Sequence, residues 1–95
     1  QENEMQIQKN TIQNQLEQLQ REVKAYDEVI QSFKTIQIPE ATVLQKTIQQ
    51  QLTSGEINFL DWVILNDQII DLHNQLAEQL FTRNKKAVSF NYLAN

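Results

Sequence analysis

The residues able to do chemistry are few. His73 is the one histidine in a chain of 95 residues, and cysteine is absent. A metal site on a helix needs a second ligand three or four positions away. Those positions hold Ile69, Ile70, Leu76 and Ala77, so no metal ligand set forms along the helix, and His73 reads as a partly buried structural residue. Asp67 and Asp71 are four apart and share a helix face. That spacing gives a weak cation site or simple mutual repulsion. It does not give a glycosidase pair, because no cleft-forming sequence surrounds the two carboxylates. There is no glycine-rich phosphate loop, no supported Ser-His-Asp arrangement and no cofactor fingerprint. The sequence predicts no enzyme, with no catalytic residue, no cofactor and no metal.

The other polar residues of interest crowd into one stretch, Leu52 to Asp61, which contains the only glycine. Leu44, Ile48 and Leu52 recur every four residues up to it. Thr53 and Ser54 then lead into Gly55, which suits the left-handed position just past a helix end, where a Cβ costs energy. Glu56 and Ile57 follow. Asn58 can cap the next helix, and Asp61 stands three residues on, as in a capping box with Asp in place of Glu. A stop and a start this close predict a tight reversal between two antiparallel helices. The turn residues singled out are Ser54, Gly55, Glu56, Asn58 and Asp61.

The arms on either side carry the positions that hold this turn. Ile12, Leu16, Leu19, Val23, Tyr26, Ile30 and Phe33 alternate steps of four and three, a heptad seam seeking a partner helix. The seam loses phase at Ile36, Gln37 and Ile38. Pro39 follows, removing a bond to the Thr35 carbonyl and crowding that turn, which predicts a kink or short break over 37–40. After the turn, Trp62, Leu65, Ile69, Leu72 and Leu76 make one seam, while Leu60, Ile64 and Ile70 fall off it. A helix apolar on more than one side touches more than one neighbour. Self-association is therefore expected, with Trp62, Ile64, Leu65 and Ile69 contributing to the interface. The fold class is all-α: a single, long, coiled-coil-like antiparallel hairpin over 1–95. Its first arm is about 4–53, its turn 53–58 (centred on Ser54-Gly55) and its second arm about 58–93.

Composition agrees. One glycine and one proline argue against a β-rich fold with many turns. A formal net charge of -4 leaves no electrostatic footprint for nucleic acid. No apolar run approaches the roughly 20 residues needed to span a bilayer. Five acids and no Lys or Arg lie between Thr47 and Thr82, so the turn half is acidic. The start at Gln1, within a pattern already under way, suggests an excised piece of a longer chain.

The run Gly55-Glu56-Ile57-Asn58-Phe59-Leu60-Asp61-Trp62, with Gln68, Leu76 and Tyr92-Leu93 beyond it, resembles the last helical hairpin of TolC-like outer-membrane efflux proteins. Ile38-Pro39-Glu40-Ala41 resembles the Leu-Pro-x-Ala that precedes that turn. The Gly-Glu-Ile-Asn-Phe-Leu version is similar to the TolC-like C-terminal region of heavy-metal efflux pumps of the CusA/CzcA type. The likeness covers roughly residues 22 to 95. It departs at Leu52, where the family commonly has tyrosine. The resemblance implies a trimer whose hairpins build a periplasmic α-barrel in the cell envelope of a Gram-negative bacterium. The turn at Gly55 would face a periplasmic adaptor and an inner-membrane pump, and the barrel would export heavy-metal cations. The alternative is a coiled-coil dimerisation or interaction module with no transport role.

Overall fold

The computed structural model describes residues 2–94, with side chains from Lys9 to Ala94. The described chain is all-α. Helix α1 spans Glu2–Ser32, a π-helical segment spans Phe33–Gln37, α2 spans Ile38–Ser54 and α3 spans Phe59–Ala94. No described helix is long and apolar enough to cross a membrane.

The backbone stays helical through 37–40, where the sequence predicted a kink or break. The disturbance takes another form, just upstream of Pro39. The Ile38 N–H reaches back to the Phe33 carbonyl, five residues away, rather than to Lys34. A turn widened in this way accommodates one extra residue and relieves the crowding that a proline ring imposes on the carbonyl four positions before it. Pro39 then stands in the first turn of α2, the helix position at which proline is best tolerated. The Thr35 hydroxyl donates to the Gln31 carbonyl at 2.8 Å, and Thr42 to the Ile38 carbonyl at 3.0 Å. The loss of heptad phase now has a cause. Ile30 and Phe33 are buried, but so are Ala41 and Ile48, each one place beyond where a strict seam would continue. The strict positions hold Glu40 and Thr47, both exposed.

The chain packs as two compact units, Gln1–Val29 with Gln79–Asn95, and Ile30–Glu78. In the first, Leu16, Leu19, Val23 and Tyr26 are half-buried on α1. Val23 lines a recess with Ala87 and Phe90, and Leu19 lines another with Leu93. Two ion pairs join the helices of this unit: Arg83 Nε to Asp27 Oδ1 at 2.7 Å, and Lys86 Nζ to Glu22 Oε2 at 2.9 Å. The hydrogen bond from Lys86 holds the Glu22 carboxyl below its usual range, and the same bond raises Lys86.

The second unit has a small core of Ala41, Ile48 and Ile69, with Ile57, Trp62, Leu65 and Leu72 packed on it. Ile48 is 1% exposed. This core fixes α2 against the first half of α3 and so holds the segment that joins them.

Candidate functional site

The segment between α2 and α3 is short, and its backbone groups are well satisfied. Gly55 has φ 81° and ψ 8°, the left-handed conformation. Its N–H donates to the Leu52 carbonyl at 3.2 Å, and the Glu56 N–H to the Gln51 carbonyl at 2.8 Å. These two bonds form the Schellman closure of a helix end. The Gln51 carbonyl also accepts the Ile57 N–H at 3.3 Å and the Ser54 hydroxyl at 3.2 Å. The Gly55 N–H reaches this carbonyl too, so one carbonyl gathers four donors, and Ile57 packs on the core.

Asn58 starts α3. Its side-chain oxygen accepts the Asp61 N–H at 2.8 Å, and its backbone carbonyl accepts the Trp62 N–H at 3.1 Å. This is the N-cap geometry that the short polar side chain favours. The carboxylate of Asp61, in the first turn of α3, lies near the positive end of the helix dipole. Ser54, Gly55, Glu56, Asn58 and Asp61 are all exposed. Thr53 and Ser54 still belong to α2, which makes the non-helical connection shorter than the sequence suggested, at 55–58.

The residues expected at an interface divide between two environments. Ile69 is buried, and Trp62 and Leu65 are half-buried and pack on the chain's own core, so these three hold α3 to α2. Ile64 alone of the four is exposed, at 51%. The apolar residues left open around it are Phe59, Leu60 and Ile70 on α3, with Val43 and Leu44 on α2. Phe59 stacks on Trp62 with ring centroids 6.0 Å apart. Sequence reasoning placed Leu60 and Ile70 off the seam, and both are exposed.

His73 is exposed rather than partly buried. Asp71 accepts a hydrogen bond from Gln75 at 2.9 Å, and Asp67 is exposed. Among the described residues no group of three or more His, Cys, Asp or Glu is placed to hold a metal ion. A shallow groove of about 300 Å³ runs beside Ala41, Leu44, Ile69 and Leu72, rimmed by Gln37, Glu40 and Gln68. It is open and mostly apolar, suited to receiving a side chain. Comparison with protein-family models, curated proteins and solved structures finds no match to this chain.

Proposed function

We propose that the chain is a long antiparallel helical hairpin, bent at the π-helical segment, that forms part of the wall of a TolC-like efflux duct. In this reading the turn at Gly55 is the tip facing adaptor and pump, and the cargo is a heavy-metal cation. The hairpin is supported within each unit. On α1 the ion pairs advance from Glu22 to Asp27, while on α3 their partners step back from Lys86 to Arg83. In the other unit the Schellman closure and the Asn58 cap reverse the chain in four residues.

The observation that carries the wall reading is α3 itself. Its inner side is used by Trp62, Leu65, Ile69 and Leu72, yet Leu60, Ile64 and Ile70 remain 49–66% exposed. A two-stranded interaction module needs one seam, whereas a wall element needs a second. The exposed acidic tip is consistent with cation passage: Glu56 and Asp61 have no basic residue near them in sequence. Copies arranged around an axis would set Asp61 in a ring of negative charge felt over roughly 8 Å at physiological salt.

The test is Asp61→Asn in the assembled protein. The Asn58 side chain bonds the backbone N–H of residue 61, not its carboxylate, so the cap survives while the charge is lost. Cation affinity and cation conductance should fall. Unchanged conductance and unchanged cation block would refute the duct reading of the tip.

A further inference from the structure

The unit Ile30–Glu78 has two outer edges, one on each helix, and they differ in charge. On α3, Leu60, Asp67 and Ile70 are exposed along one side, with half-buried Val63 between them. Leu60 is 66% exposed and Ile70 49%. On α2, Val43 is 65% exposed. Lys46 stands one turn beyond Val43 on the same side and is exposed. The two ion pairs found among the described residues use Glu22, Asp27, Arg83 and Lys86, so among the described residues Asp67 and Lys46 form no ion pair with each other or with another charge.

We propose that a second copy of this chain covers these edges. The α3 edge of one copy packs on the α2 edge of the next, with the turns level and Asp67 beside Lys46 of its neighbour. Charge complementarity selects this pairing over the symmetric ones. Two α3 edges face to face would bring together Asp67 and Asp71 from both copies, and no Lys or Arg lies between Thr47 and Thr82 to offset them. Unlike edges bring an acid to a base. The register also fits. Ala41 and Leu44 line one groove with Gln68, Ile69 and Leu72, which sets Ala41 level with Ile69, so with turns level Val43 stands opposite Asp67. Lys46 is then three residues along, roughly 4.5 Å at 1.5 Å per residue, within reach of a lysine side chain. An unlike-edge contact leaves one edge open at each end, so it repeats until a ring closes. The inference rests on the hairpin reading above, but not on the transport role.

The chain has no cysteine, so single cysteines report the contact directly. Chains carrying Val43→Cys are mixed with chains carrying Asp67→Cys, the position the register sets opposite it, under mild oxidation. A disulfide-linked dimer in the mixture, with none in either sample alone, is the expected result. Cross-linking within one sample alone, or none in the mixture, would overturn the proposal. Sedimentation then tests the charges. Lys46→Glu should weaken self-association roughly three- to tenfold, the scale of an exposed ion pair turned into a like-charge pair. Adding Asp67→Lys should restore it, with far-UV circular dichroism confirming equal helicity. Unweakened association, or a double variant that is not rescued, would overturn the pairing. If the cross-link forms while Asp61→Asn leaves conductance unchanged, the interface stands and the duct reading falls. If the cross-link fails while Asp61→Asn lowers conductance, the reverse holds.

Discussion

Replacing Gly55 by alanine isolates the conformational demand of the turn. At φ 81° an added Cβ would meet no atom within 4 Å, so no collision with the fold contributes. What remains is local. A left-handed backbone costs an L-residue roughly 1–2 kcal/mol. Alanine recovers about 0.4–1 kcal/mol by restricting the unfolded chain. The net destabilisation is therefore roughly 1 kcal/mol, equivalent to about 4–8 °C in Tm for a chain of this size. Thermal melts followed by circular dichroism measure it. All variants must be compared at one chain concentration, because association adds its own stabilisation. Gly55→Asn supplies the control. It adds a larger side chain but tolerates the left-handed region better, so it should melt between the other two. The reasoning is refuted if Gly55→Ala melts with the parent, or if Gly55→Asn melts below Gly55→Ala.

Asn58→Ala removes the acceptor of the Asp61 N–H and should cost about 1 kcal/mol, with Asn58→Asp retaining most of it; chemical denaturation at constant slope checks both. The Glu22–Lys86 pair gives a pH dependence of known sign. Glu22 titrates below its ordinary value of 4.5 in the folded chain, so its contribution is present above that value and is lost as pH falls through the folded pKa. Lys86 titrates above 10.5, so its contribution is present below that value and is lost as pH rises through its folded pKa. Glu22→Gln should therefore lower Tm slightly at neutral pH and flatten its decline on the acid side. An acid limb identical to that of the parent would contradict this.

The turn was open to reading because its causes are local. A lone glycine after Thr-Ser and an Asn three residues before an acid fix a stop and a start with no help from distant residues. The seam from Ile12 to Phe33 was equally plain. Its loss of phase at Ile36–Ile38 was visible too, but periodicity cannot distinguish a break from one extra residue held inside a widened turn. That choice depends on whether Ala41 and Ile48 can both reach the core, a tertiary matter. The division of α3 was hidden for a related reason. Trp62, Leu65 and Ile69 on one side and Leu60, Val63 and Ile70 on the other are both apolar at helical spacing. Which side turns inward is decided by what α2 offers, and α2 offers Ala41 and Ile48. His73 was misjudged because a lone histidine among apolar neighbours in sequence can still point away from them in space.

The π-helical segment has a consequence for how chain length can vary. It stores one residue beyond what an uninterrupted α-helix would need between Phe33 and Ala41. Removing a single residue there would return the wide turn to an ordinary one and leave Ala41 and Ile48 facing the core as before. The same deletion in the middle of α2 or of α3 would swing every later side chain by about 100° and turn the buried row outward. Residues 33–37 are thus the stretch of the first arm in which one residue can be dropped without rotating the faces beyond it.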